Sequence, residues 1–161
     1  MKYQFLCATH RVQLSNHPDQ ALRCWRNSYE AGQSLLELGY DYEALPHLGC
    51  AFEVAEIILS KQILDTIDAI ALLTVSTAAL AKSLNKRGYR KQKDAVLQLT
   101  HRRLMQEQAS YPEYAAVIQH QIHALDHACE VSTLPGQDEQ LSTAELNIQA
   151  YLDSEPARVC H

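Results

Sequence analysis

Apolar side chains recur along most of this chain at the spacing of an α-helix. From residue 18 onwards they return every three or four positions, which gives a helix one apolar face. The stripes predict helices over about 18–38, 41–59, 65–85, 90–108 and 113–131, and a sixth, shorter helix over 142–153. The pattern therefore predicts about six helices in antiparallel hairpins.

Residues at the predicted helix ends agree with this division. Pro18 fits the first turn of a helix, because the N–H that it lacks would have no partner there. Gly39 and Gly88 follow predicted helix ends, where glycine can adopt the left-handed conformation. The stretch 110–113 has the form of a turn with a capping box, and 132–140 that of a loop.

Composition favours the same fold class. The 161 residues include 20 Ala and 22 Leu but only 15 Val and Ile together, so good helix formers outnumber β-branched residues. We expect one all-α domain over 1–161. Within it, residues 1–15 have no helical stripe and are expected to be irregular or to form one short strand, and 154–161 to be a flexible tail.

Charge and cysteine content narrow the function classes. A net charge of -5 argues against bulk nucleic-acid binding. Five widely spaced cysteines do not form the dense pattern of a secreted disulfide scaffold. The N-terminal residues lack the apolar core of a signal peptide, and no apolar run approaches the roughly 20 residues that cross a bilayer. We therefore expect a cytoplasmic protein with no membrane contact.

The first predicted hairpin carries a pattern of small and large apolar residues. The residues concerned are Ala31, Gly32, Leu35, Gly39, Ala44, Leu48 and Ala51. Over about residues 25–58 this pattern resembles a tetratricopeptide repeat, in which small residues let two antiparallel helices approach closely. A second unit is weaker: Ala81, Leu84 and Gly88 match, but Ala95 comes two residues late. Two architectures stay open, a stack of tetratricopeptide-like hairpins and a compact helix bundle.

The resemblance implies that a protein or peptide partner binds the inner face of the first helices. Carried over by position, that face presents Arg26, Tyr29, Gln33, Leu36 and Glu37. The alternative is that Tyr29 and Leu36 belong to the core.

A basic segment lies between the third and fourth predicted helices. Residues 82–103 hold eight of the 14 Lys and Arg, including Arg87, Arg90 and Lys91. Such a corner could dock an acidic protein partner or a phosphate backbone, but it lacks the interleaved aromatic residues that stack on bases. A solvated corner between two helices is the third interpretation.

Two groups of residues have the chemistry of metal ligands. His120, His123 and His127 lie on one side of the fifth predicted helix, opposite its apolar face. Cys7 and His10 have the spacing of half a zinc site, which needs four ligands in all. A zinc-binding or zinc-sensing protein is therefore an alternative, against a solvated histidine stripe and a buried Cys7.

The sequence contains no nucleophile elbow, phosphate-binding loop or dinucleotide-binding glycine pattern. We therefore predict a protein that is not an enzyme, needs no cofactor and acts as an adaptor or regulator by binding another protein. A homodimer is possible.

Overall fold

The computed structural model describes residues 4–130, and this part of the chain is helical without any strand. The elements are α1 Ala8–Asn16, α2 Pro18–Glu37, α3 Asp41–Ser60, α4 Thr66–Lys86, α5 Arg90–Ser110, a 3-10 turn Pro112–Tyr114 and α6 Ala115–Glu130. The predicted all-α class is confirmed, and α2 to α6 match five predicted helices to within a few residues. The predicted loop 132–140, sixth helix 142–153 and tail 154–161 lie outside the described residues.

The turns after α2 and after α4 have the same backbone geometry. Gly39 and Gly88 have φ of 82° and 78°, and nothing lies within 4 Å of a Cβ built on either. The next N–H closes the turn in both cases: Tyr40 donates to the Leu35 carbonyl at 2.8 Å and Tyr89 to the Leu84 carbonyl at 2.9 Å. Glycine is needed at both positions for its backbone conformation, because residues that carry a side chain rarely adopt a positive φ.

The hairpins α2–α3 and α4–α5 repeat with a spacing of 49 residues. Gly88 follows Gly39 by 49 residues, the first residue of α5 follows that of α3 by 49, and the first residue of α6 follows that of α4 by 49. The tetratricopeptide repeat that the first hairpin resembles has a unit of about 34 residues. The observed unit is longer because each of its helices has 20 or 21 residues.

Each helix from α2 onwards packs on the next helix in the chain, and α4 also packs on α2 and α6. The helices α2, α4 and α6 therefore run side by side, with α3 and α5 behind them. The most buried helix is α3, in which 14 of 20 residues are buried. The described residues thus form a compact bundle whose core lies between α3 and α4.

The helix α5 contributes only a narrow buried stripe to this bundle. Its buried residues are Gln92, Val96, Thr100 and Leu104. The Thr100 and Thr77 hydroxyls hydrogen-bond across the α4–α5 contact at 2.8 Å. Leu99 belongs to the apolar pattern that predicts this helix, but it is 44% exposed because only one position in four faces α4.

The prediction of an irregular segment over 1–15 is wrong for residues 8–15, because α1 occupies residues 8–16, whereas residues 4–7 are irregular. This helix is polar on most sides, so the sequence has no apolar stripe there that would predict it. The Cys7 sulfur accepts a hydrogen bond from the His10 N–H at 3.5 Å, as an N-cap side chain does. The helix then buries Leu14 in the core of the bundle.

Residues 4–16, called here the N-terminal arm, are held on α3 by a buried carboxylate. Glu53 is only 2% exposed. Its Oε2 accepts a hydrogen bond from the Leu6 N–H at 2.8 Å and lies 2.8 Å from Nη2 of Arg11. Because a buried carboxylate is costly without partners, these two contacts fix where the arm lies.

An aromatic side chain anchors the arm beside this pair. Phe5 is buried against Gly49, and a Cβ at Gly49 would overlap its ring. One repeat later, the residues equivalent to Gly49 and Glu53 are Gln98 and Arg102, both exposed. The outer face of α5 therefore has neither the space nor the charge to hold a similar arm.

Glu53 should make stability depend on pH. Burial raises its pKa above the usual 4.5, with Glu56 adding to the rise, and Arg11 and the Leu6 and Phe5 amides only partly oppose it. At pH values between the pKa of Glu53 in the unfolded chain and its higher pKa in the folded protein, the folded state binds more protons than the unfolded state. The contribution of Glu53 to the free energy of unfolding therefore falls as pH rises through that window. We expect urea denaturation at a series of pH values to show this fall in the wild type, relative to Glu53→Gln, which does not titrate. A difference between the two proteins that stays constant with pH would contradict this.

Among the described helices, α4 has the length and composition of a membrane span. It has 21 residues, and its most apolar window has a mean hydropathy of 1.5. This corrects the expectation, drawn from the sequence, that no apolar segment approaches the length needed to cross a bilayer. Of that window 61% is buried inside the bundle, and core helices have the same length and composition.

Candidate functional site

The residues that the resemblance selected on α2 divide into two groups. Arg26 and Glu37 are exposed and Gln33 is half-buried. Tyr29 and Leu36 are partly buried against the core. The selected residues therefore do not form one open surface, because two of them take part in packing between helices.

Trp25 joins α2 to α4. Its ring stacks on Tyr29 with centroids 5.2 Å apart, and its Nε1–H donates to Ser76 Oγ at 2.8 Å. Gln33 Nε2 in turn donates to the Tyr29 hydroxyl at 3.0 Å. These bonds fix α2 on α4 and turn the exposed side of α2 in the same direction as the exposed side of α4.

The exposed side chains of α2, α4 and α6 occur at equivalent positions. Arg26, Val75 and Ala124 follow one another at intervals of 49 residues, as do Gln33 and Lys82, and all but the half-buried Gln33 are exposed. Because the three helices lie side by side, these positions form one surface, called here the α2–α4–α6 face. Its members are Arg26, Gln33 and Glu37 of α2, Val75 and Lys82 of α4, and Val117 and Ala124 of α6.

The α2–α4–α6 face has an apolar centre and a charged edge. Val75 is 40% exposed, and Ala124 is exposed at the equivalent position of α6; Val117, 41% exposed, lies about two turns before Ala124 on the same helix. Arg26 and Glu37 lie on α2 at one edge, and Lys82 lies beyond Val75 along α4. Arg26 and Lys82 are both exposed.

The basic segment 82–103 is partly neutralised by the turn beside it. Lys86 Nζ lies 3.1 Å from Asp41 Oδ1, and the Arg87 guanidinium lies 5.3 Å from the centre of the Tyr42 ring. Arg90 is half-buried and Lys91 exposed. The structure thus brings the basic turn after α4 against the acidic start of α3, which weakens the field that a phosphate backbone would meet.

The two sets of metal-ligand residues are only partly assembled. Cys7 Sγ lies 3.0 Å from His10 Nδ1, and the His123 and His127 rings touch edge to face with centroids 4.7 Å apart. His120, His123 and His127 are all exposed, as the sequence predicted. Among residues 4–130, no three His, Cys, Asp or Glu side chains come close enough to hold one ion. The zinc alternative stays a prediction.

A small polar cavity of about 180 Å³ lies where the connection between α3 and α4 meets the end of α5. It is lined by Gln62, Thr66, Arg103 and Tyr111, among others. Arg103 is paired with Glu107 at 2.9 Å, and Gln62 Nε2 donates to the Tyr111 hydroxyl at 3.0 Å. Its polar groups therefore largely satisfy one another, and none was predicted as a site residue.

Sequence reasoning missed two residues that the structure makes prominent. Glu53 interrupts a helix that is otherwise apolar on nearly all sides, which is a signal that the sequence contains. Ser76 carries no such signal, because a serine in an apolar helix commonly bonds its own backbone, as Ser76 also does to the Leu72 carbonyl at 2.7 Å.

Comparison of the chain with protein-family models, curated proteins and solved structures found no match. The class that the fold defines, for the described residues, is a compact all-α helix bundle.

Proposed function

We propose that this protein is a non-enzymatic adaptor or regulatory domain that binds a segment of another protein along the α2–α4–α6 face. The observation that supports this most directly is the common register of the three helices. It brings Val75 of α4 level with Ala124 of α6 at the surface, with exposed charges at the edge.

The face has the composition of a protein-binding surface. Exposed apolar side chains that lie together on a surface are commonly interaction sites, whereas single ones need no explanation. Burying such a centre provides affinity, and the charges around it provide orientation and specificity. The resemblance of the first hairpin to a tetratricopeptide repeat agrees with this use, since that family implies binding along its first helices.

The proposal predicts that a charge in the apolar centre abolishes binding. Val75→Asp places a carboxylate in the apolar centre that a bound partner would have to desolvate, and we expect at least a tenfold loss of partner in affinity purification from native lysate. Because Val75 is exposed, the free energy of unfolding should change by less than about 0.5 kcal/mol.

Leu99→Asp is the matched control, because Leu99 is 44% exposed and lies on α5, behind this face. It should leave recovery unchanged. A partner lost equally with both variants, or with neither, would contradict the proposed face. Arg26→Glu tests the charged edge, and Arg87→Glu tests the basic turn, which the sequence selected as a second docking surface.

A further inference from the structure

The N-terminal arm is a separate element that occupies a groove on α3. The arm packs mainly on α2 and α3. Its anchors are Phe5 above Gly49, and the Leu6 N–H and the Arg11 guanidinium on Glu53. Each of these contacts joins a residue before position 17 to a residue after it, so the arm of a second copy can supply every one of them.

The connection between the arm and the bundle is a single residue. His17 lies between the end of α1 and Pro18, with φ of -128° and ψ of 85°. Pro18 enforces this break, because proline disfavours the helical conformation in the residue before it and its ring clashes with the carbonyl four residues back. With Pro18 in place, rotation of His17 to another extended conformation would carry the arm away from its own α3. With Pro18 replaced and His17 helical, α1 and α2 would form one continuous helix of about 45 Å that also carries the arm away.

We propose that two copies of this protein exchange their N-terminal arms, each arm docking in the groove on α3 of the other copy. The exchanged dimer keeps the contacts of the monomer, and only the His17 junction changes conformation. Such exchange of an identical element is a low-cost route to a symmetric dimer. The inference does not depend on the α2–α4–α6 face or on its partner.

The groove selects its occupant by shape and charge together. It needs an aromatic side chain above Gly49, a backbone N–H and a cation for Glu53, and the arm of a second copy supplies all three. The equivalent positions on α5, Gln98 and Arg102, supply neither space nor a counter-charge. In the wild type, the arm of the same chain competes with the arm of a second copy for the groove on α3. Because it is covalently attached, its effective concentration is in the millimolar range, so we expect the dimer only at chain concentrations in that range.

Reversal of the ion pair tests the exchange directly. In Arg11→Glu, the introduced carboxylate faces the carboxylate of Glu53 within one chain. In Glu53→Arg, the introduced guanidinium faces that of Arg11. When the two variants are unfolded together and refolded as a mixture, arm exchange brings the introduced carboxylate of one chain onto the introduced guanidinium of the other. The same exchange pairs the remaining Arg11 with the remaining Glu53, so both ion pairs are restored. We expect light scattering to show a heterodimer of twice the 18.1 kDa chain mass as the main species in the mixture and not in either variant alone.

The chain with both substitutions is the control for folding, since it restores the reversed pair within one molecule and should be a monomer. If this control fails to fold, the Pro18→Ala variant tests the exchange instead, because it removes the barrier to a continuous helix. We expect Pro18→Ala to be dimeric at concentrations at which the wild type is a monomer. A mixture without heterodimer alongside a folded control would overturn the proposal, and so would a Pro18→Ala protein as monomeric as the wild type.

Discussion

Replacement of Glu53 by alanine should cost about 3 kcal/mol of the free energy of unfolding. The substitution leaves the Leu6 N–H buried without its acceptor and takes away the carboxylate that neutralises Arg11. Breaking a buried ion pair by removing one partner costs about 3–5 kcal/mol. Because the Arg11 side chain is 31% exposed and can reach water, we expect the lower end of this range.

Urea denaturation gives the change in stability, and hydrogen exchange locates it. We expect the Leu6 amide to lose its protection, since the arm depends on this carboxylate. Glu53→Gln is the control, because an amide oxygen still accepts the Leu6 N–H while the charge is absent. It should cost less than the alanine variant. Equal losses for the two variants would show that the acceptor does not hold the arm.

Replacement of Gly32 by alanine should destabilise the protein by about 1 kcal/mol, although alanine is the better helix former. In a helix interior, glycine to alanine gains up to about 1 kcal/mol from propensity. Here the new Cβ would lie 2.5 Å from Leu48 Cδ2 and 3.3 Å from the Leu48 backbone nitrogen. Leu48 is fully buried and its side chain and backbone nitrogen both lie in the way, so overpacking of about 1–3 kcal/mol exceeds the propensity gain.

The second hairpin supplies the matched control for this substitution. Ala81 occupies the position equivalent to Gly32 and is buried with its Cβ in place, so Ala81→Gly should also destabilise the protein, through lost helix propensity and one lost buried methyl group and without any overpacking. Combining Gly32→Ala with Leu48→Ala should cost less than the sum of the two single changes, because the added methyl group fills part of the space that Leu48 leaves. A stabilised Gly32→Ala protein would mean that α2 and α3 can move apart.

The positions of the helices were predictable because their ends are local. Pro18, Gly39 and Gly88 act through their own backbone conformation, which does not depend on distant residues. The apolar stripes between them then fix the inward faces of α2, α3, α4 and α6. The stripe on α5 was predicted less well, because one apolar residue, Leu99, lies outside the narrow contact with α4.

The candidate surface was predictable only in part. The resemblance identified Arg26, Gln33 and Glu37, but it grouped them with Tyr29 and Leu36, which pack against the core. A unit of 34 residues also hid the repeat of 49, although Gly39-Tyr40 and Gly88-Tyr89 mark it in the sequence. The residues of α4 and α6 that complete the face could not be selected before that spacing was known.

The sequence by itself determined the all-α class, the ends of α2 to α6 and the small residues at the first hairpin. These depend on helix propensity, capping and periodicity, all of which act over a few residues. Only the tertiary structure decided which exposed residues share a surface, and that a polar N-terminal segment folds as a helix against Glu53. Such contacts join residues far apart in the chain, Leu6 and Glu53 or Trp25 and Ser76, and a pattern with a period of a few residues carries no information about them.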